Sequence, residues 1–422
     1  MSEHQPISSE TIFDDKERRL GMRLLMSAMV LVGVGQSLLF TILPPIARDF
    51  ELTEYHVTMI FSATAFFWTI SSPFWGRLSD SLGRKPVMLL GIMGFAVSTG
   101  GVGLVLYLDE MSLLPAFLMY PLLLLTRGFF GLLCPGTFTS AIGYIADRTG
   151  REKRSAGLAQ VMTAFMLGTV IGPGFASVML LVDLYLPFVL CFILSIVILI
   201  TIYIYLPENR SPDIFEQTEK RARLKIKDWR IRDFLFISSL GGLLQAVVLQ
   251  LTGFYLLDVM HLDTMQTTKF LSVGMMSMAA ANIFAQSYVV PRYPMSTDRQ
   301  IQIGGISMMV GFFLFLFEIN LIILTLAMMF IGYGLGLTRT GSASGASLNV
   351  TPFEQGAIAG LLSSTATIGI IFTPIIIVPL YRFYDRGPYV LCILLLVMLL
   401  FANKRAKIVS AQLEKDRKSA GE

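Results

Sequence analysis

Residues Gly76–Pro86 read GRLSDSLGRKP, with two glycines, an aspartate and three basic residues in eleven positions. On either side lie ATAFFWTISSPFW (Ala63–Trp75) and VMLLGIMGFAV (Val87–Val97), runs without a single charge. An apolar run of about 20 residues crosses the hydrocarbon core of a bilayer as a helix, so the polar island is predicted to be a turn between two spans. The rest of the chain repeats this alternation. Of 422 residues, 54% are apolar and 15% charged, whereas soluble domains carry about 25% charged residues. The sequence therefore predicts an all-α membrane protein with many spans.

Reading the apolar runs and their breaks gives twelve transmembrane helices: 22–47, 55–75, 87–107, 115–146, 155–181, 185–206, 233–257, 267–290, 301–319, 321–349, 356–380 and 388–403. The fourth and tenth are long, and Pro121 or Pro135 is expected to break the fourth. With the N-terminus in the cytoplasm, 27 of the 33 Lys and Arg residues fall on the cytoplasmic side. Only Arg48, Lys269, Arg382 and Arg386 fall outside, while Arg127 and Arg339 lie within spans. By the positive-inside rule both termini are expected to be cytoplasmic. The net charge of +4 is thus a topology signal and implies no nucleic-acid partner. The densest basic run, KRARLKIKDWRIRD (Lys220–Asp233), interleaves Leu224, Ile226, Trp229 and Ile231 at surface-helix spacings. That pattern fits a segment lying on anionic lipid better than a nucleic-acid patch.

Several function classes are excluded by what the sequence lacks. The first twenty residues are polar and of mixed charge, with no secretory apolar core, so the chain is expected to stay whole. Cys134, Cys191 and Cys392 all fall inside apolar runs, which suggests neither a disulfide framework nor a metal site. His4, His56 and His261 lie outside the spans or at their edges, leaving little for zinc. There is no Walker loop to bind ATP and no nucleophile–base cluster. Neither a cofactor, a metal nor an enzyme activity is expected.

The segment 207–232 is the longest polar stretch between spans, and it separates six helices from six. The predicted organisation is a tail at 1–20, a six-helix bundle at 21–206, the basic linker at 207–232, a second bundle at 233–403 and a tail at 404–422. An offset of 201 sets GTVIGP (Gly168–Pro173) on GIIFTP (Gly369–Pro374), and GFFGLL (Gly128–Leu133) on MFIGYG (Met329–Gly334). Two pseudo-symmetric six-helix bundles with a site at their interface are a usual build of secondary transporters.

At this point the motifs become specific. GRLSDSLGRKP resembles the signature loop of the major facilitator superfamily, G-x-L-x-D-x-x-G-R-K/R. RGFFG (Arg127–Gly131) is similar to that family's helix-4 motif. GTVIGPGFAS in helix 5 resembles its antiporter motif, G-x-x-x-G-P-x-x-G-G, departing at Ala176 and Ser177. The resemblance covers nearly the whole chain and points to the twelve-helix drug/proton antiporter branch. It implies a conformational latch of Gly76, Asp80, Gly83, Arg84 and Asp147, and a helix-5 motif of Gly168, Gly172, Pro173 and Gly174. Asp80 and Arg84 are one helical turn apart, which lets them pair. Gly76 and Gly83 are expected to permit tight turns and close helix approach.

Substrate and coupling candidates follow from polarity inside the spans. A bare arginine at mid-bilayer costs several kcal/mol by insertion scales, so it faces a wet cavity or a partner. Arg339 lies about 18 Å of helix before Thr351, near the midplane, and Arg127 about 30 Å before Asp147, toward the outer side. Arg127 suits a structural or proton-handling role, and Arg339 either substrate or anion contact or a hydrogen bond from helix to helix. Gln36, Gln245, Gln250, Asn282 and Gln286 are further candidates, with Tyr255 beside them and Phe66, Phe67 and Trp68 as an apolar wall. No acid lies deep in helices 1, 2, 4, 5, 7, 8, 10 or 11. A central arginine without a central acid favours an anionic or neutral polar solute over a cation. The expectation is a proton-coupled exporter of a small molecule, working by alternating access as a monomer in a bacterial inner membrane. Uptake of an organic anion, or a transport-inactive receptor on the same fold, are the alternatives.

Overall fold

A computed structural model describes residues 15–148, 151–207, 224–317, 320–351 and 354–419. Residues 1–14 of the expected N-terminal tail and 208–223 of the linker lie outside the described residues, while 15–20, expected in the tail, open the first helix. Every regular element described is a helix. In order they are α1 (Asp15–Ile46), α2 (Glu54–Leu82), α3 (Arg84–Glu110), α4 (Ala116–Leu133), α5 (Pro135–Arg148), α6 (Arg151–Leu180) and α7 (Leu186–Tyr205). There follow α8 (Arg232–Asp258), α9 (Thr264–Phe284), a π turn (Ala285–Val289), α10 (Val290–Arg292), α11 (Thr297–Leu314), α12 (Leu321–Leu348), α13 (Gln355–Phe383) and α14 (Gly387–Ser419). Helices are the natural outcome, because apolar segments in lipid must satisfy their backbone hydrogen bonds internally.

The predicted spans map onto these elements with three differences. The fourth span divides into α4 and α5 at Cys134, before Pro135, while Pro121 sits inside α4 without breaking it. Among the described residues eleven helices are long and apolar enough to cross a membrane. The remaining predicted span is α11, whose polar first turn, TDRQ, dilutes its apolar run. Helices also outlast their apolar cores: α2 continues through Leu82, and α14 runs on to Ser419 through residues read from hydropathy as a tail. The interleaved stretch 224–231 forms turns instead of the surface helix its spacing suggests.

Contacts divide the chain into two compact units, Met1–Leu38 with Phe66–Pro212 and Leu39–Ala65 with Asp213–Glu422. The first has a core of Leu25, Met29, Met88, Ile92, Tyr144 and Ile202, and Tyr144 Oη donates to the Pro207 carbonyl at 3.3 Å. The second takes in the end of α1 and the start of α2. There Ser62 Oγ donates to the Ile370 carbonyl at 2.9 Å, and Gly253 leaves room for Pro44 and Pro45. Its aromatic centre is Tyr255, Phe315 and Tyr389, with Phe315 and Tyr389 stacked at 4.5 Å. Tyr255 is therefore a core residue, fully buried, with its hydroxyl bonded to the Phe315 carbonyl. It lines no cavity.

Each unit carries the same close helix crossing. In the first, a Cβ on Gly33 of α1 would overlap the Phe165 carbonyl, and one on Gly168 of α6 would overlap the Val30 carbonyl. In the second, a Cβ on Gly242 of α8 would strike the Ala366 carbonyl, and one on Gly369 of α13 the Leu243 amide. Phe165 and Ala366, like Gly168 and Gly369, are separated by the offset of 201 found in the sequence. The repeat is thus a repeat of packing, two backbones pressed together at small residues.

Candidate functional site

The opening motif holds a three-residue ion cluster within the first unit. Residues 76–82 belong to α2, and the whole turn is Gly83, at φ 104° and ψ 157°. That region of backbone space is essentially reserved for glycine. The reversal points Arg84 back along α2, where Nη1 meets Asp80 Oδ1 at 2.5 Å and Ser79 Oγ at 2.7 Å. Its Nε donates to Asp147 Oδ2 on α5 at 2.8 Å. Gly143, one turn before Asp147, leaves the space that the guanidinium occupies. Gly76 differs from expectation: a Cβ there would meet nothing within 4 Å, so close helix approach does not require it.

The helix-5 motif lies on α6. Gly168 and Gly172 face α1, where a Cβ on Gly172 would come 2.7 Å from the Val34 carbonyl. Pro173 is buried inside an unbroken helix and Gly174 is half-buried beside it. Arg127 on α4 is 4% exposed, with its guanidinium carbon 4.2 Å from the centre of the Phe130 ring. Burial against an aromatic face suits a structural cation. Gln36 is half-buried on α1, Phe66 is exposed, and Trp68 packs on Phe130 and Phe138.

Arg339 occupies a different setting in the second unit. It is exposed on α12 next to buried Thr338, and lines a small cleft of about 20 Å³, partly open to its surroundings. Ser238, Gly241 and Gly242 of α8, Thr338 and Ser342 of α12, and Ala366 of α13 share that cleft. Arg339 Nη2 donates to Gln245 Oε1 at 3.0 Å, which orients the guanidinium while leaving donors for a ligand. No carboxylate lines the cleft among the described residues. The tight α8–α13 crossing at Gly242 and Gly369 sets its floor.

The other candidates separate from this cleft. Gln250 is fully buried, and neither amide atom has a hydrogen-bond partner among the described residues. Gln286 Nε2, in the π turn, donates to Asn282 Oδ1 one turn earlier on α9. That turn packs Ala285 and Val289 on Leu337 of α12. π turns of this kind are common at functional positions.

Sequence reasoning missed two ionic clusters in the second unit. At the α1–α2 turn, Glu54 is only 5% exposed and pairs with both Arg48 and Arg382, the latter at 3.1 Å. Arg48 also reaches Asp258 Oδ2 at 3.1 Å, and Tyr381 Oη donates to the same oxygen at 3.0 Å. The sequence shows these arginines only as stray outer charges. The second cluster is built on Arg230, which forks onto Asp228 at 2.8 Å and Glu354 at 2.9 Å. Hydrogen bonding to Arg230 holds both carboxyls below the ordinary carboxylate range. Asn349 Nδ2 donates to the Arg230 carbonyl at 2.9 Å, tying the end of α12 to the same point.

Eleven helices long and apolar enough to cross a membrane among the described residues, with an ion cluster at a single-glycine turn, define a membrane protein of many spans. The sequence model of the Major Facilitator Superfamily matches residues 25–374, and the chain belongs to that family. Among curated proteins it is similar to the quinolone resistance protein NorA of Staphylococcus aureus, 25% identical over 210 residues, 48% of this chain and 49% of that protein. It is also similar to the multidrug resistance protein MdtG of Proteus mirabilis, 29% identical over 191 residues, 43% of this chain and 44% of that protein. The matched regions span about half the length of these relatives. Among solved structures, a bacterial homologue of the human lysosomal transporter Spinster, inward-facing and occupied, has a TM-score of 0.72 at 11% identity, covering 96% of this chain and 99% of that one. The human organic anion transporter MFSD10 has a TM-score of 0.64 at 18% identity, covering 92% and 100%. At these identities the structures establish the fold.

Proposed function

We propose that the protein is a proton-coupled exporter of a small organic solute, anionic or neutral polar, which it moves by alternating access between its two six-helix halves. The observation that carries this reading is Arg339. It is an intramembrane guanidinium exposed to a cleft, oriented by Gln245, with hydroxyls nearby and no carboxylate among the lining residues. A cation would meet only repulsion there, whereas a carboxylate or phosphate would gain a charge-assisted, potentially bidentate bond. The drug-resistance names of NorA and MdtG support export over uptake. The positive-inside distribution supports cytoplasmic termini in a bacterial inner membrane. In this reading Asp80, Arg84 and Asp147 form a latch, with Gly83 as its pivot. Gly168, Gly172, Pro173 and Gly174 set the α1–α6 crossing. Arg127 is structural.

A thermal-shift screen of the purified protein against organic anions and cations, at two pH values, tests the solute class. Anions are expected to raise the melting temperature of the wild type and to leave Arg339→Ala unmoved. Stabilisation by cations alone, or equal stabilisation of both proteins, contradicts the assignment.

A further inference from the structure

We propose that residues 224–232 and the basic turn of α14 together form a binding surface for the headgroups of anionic phospholipids. Two segments far apart in sequence meet at the start of α8. Arg232 and Arg405 each approach one carboxylate oxygen of Asp233, at 3.9 and 4.0 Å, and both remain at least half exposed. Lys404 adjoins Arg405, and Lys225 and Lys227 project from the turns before α8. With Arg230 and its partners Asp228 and Glu354 included, six cations meet three carboxylates, which leaves the surface positive. Neither Lys225 nor Lys227 makes an ion pair among the described residues.

Exposed apolar side chains are set among these cations. Ile226 is 60% exposed, Trp229 48% and Phe401 62%, with Lys404 Nζ 5.8 Å from the Phe401 ring centre. This exposure is held in place. The double fork of Arg230 onto Asp228 and Glu354, together with the Asn349 bond to its carbonyl, pins the turn that carries Trp229. A pinned tryptophan and isoleucine between lysines match the interfacial layer of a bilayer, where the ring sits at headgroup depth and the ammonium groups meet phosphate. A nucleic acid would use the cations but leave the isoleucine and phenylalanine in water.

The same pins give the surface a route to the transport site. Glu354 precedes α13, and Asn349 ends α12, the helix that carries Arg339. Headgroup occupancy therefore bears on the position of α12. This consequence rests on the proposed role of Arg339; the surface itself does not.

Bromolipid quenching of Trp229 tests the surface without reference to any solute. The wild type and Trp229→Phe are reconstituted in phosphatidylcholine vesicles with equal fractions of brominated phosphatidylglycerol or brominated phosphatidylcholine. The difference between the two proteins isolates Trp229, and the expected result is stronger quenching by the phosphatidylglycerol. Lys225→Gln and Lys227→Gln, at exposed positions that leave the fold intact, are expected to lower that preference about fivefold each. Arg405→Gln is expected to do the same, and raised salt to weaken it. Equal quenching by the two lipids, or a preference that survives all three substitutions, overturns the proposal. Displacement of the preference by millimolar inorganic phosphate would reassign the surface to free phosphate. Tighter binding of a labelled oligonucleotide than of phosphatidylglycerol vesicles would reassign it to nucleic acid.

Discussion

Gly83 shows how much one residue decides. With φ at 104° and ψ at 157° it turns α2 into α3 in a single step, so Arg84 can face Asp80, Ser79 and Asp147 at once. Any side chain there is strained by roughly 1–3 kcal/mol. Gly83→Ala is expected to lower the unfolding midpoint in detergent accordingly, and an unchanged midpoint would show that the turn relaxes. Glu354 and Asp228 give a pH signature. Because Arg230 lowers both pKa values in the folded state, their contribution is complete above the ordinary carboxylate range, near pH 4, and is lost as pH falls through the lowered values. The melting temperature should hold steady from about pH 7 to 5 and fall below about pH 4. Glu354→Gln should show a smaller fall; one of the same size would remove Glu354 from the account. Individual placements were partly legible in the sequence. Arg339 stood out because lipid makes a stray charge expensive. Glu54 did not, because its partner Arg382 lies 328 positions away and a single sequence carries no sign of that contact.

At the scale of elements, hydropathy reported where lipid ends and not where helices end. The polar residues 76–82 and 404–419 lie beyond the apolar runs yet remain helical, since i→i−4 bonds form as well at the water boundary. The turns at 224–231 went the other way. Their periodicity suits a helix, but the pairing of Arg230 with Asp228 and Glu354 fixes a different backbone. The repeat was legible because small residues recur wherever two backbones cross, and the crossings at Gly33–Gly168 and Gly242–Gly369 gave that recurrence a physical cause. The α1–α2 end offers the clearest test of a moving element. Glu54 ties Arg48 and Arg382 together in a buried position, so Glu54→Gln should favour opening there. Ser62→Cys, buried at 4% exposure, reports it, because the native cysteines are all fully buried and silent. Losing one charged hydrogen bond of about 1.4 kcal/mol should speed maleimide labelling about tenfold. An unaltered rate would show that this cluster restrains nothing.

At the scale of the whole molecule, family membership and fold identify the machine, and the proposal for its cargo rests on one side chain. Family resemblance in the motifs at 76–86 and 168–177 made the architecture readable before any coordinates. The solute was not readable in the same way, because those motifs shape helix crossings and turns, and the cleft is assembled from α8, α12 and α13. The central claim is that Arg339 takes the negative group of an organic solute. Counterflow of a panel of radiolabelled organic anions and cations in proteoliposomes tests it most directly, with wild type, Arg339→Ala and Arg339→Lys compared at equal reconstitution. Wild type should accumulate at least one anion and no simple organic cation. Arg339→Ala should lose about two orders of magnitude in anion flux, as removal of a charged hydrogen-bond partner of ~3 kcal/mol predicts, and Arg339→Lys should retain part of it. Cation counterflow in the wild type, or anion counterflow undiminished in Arg339→Ala, would contradict the account.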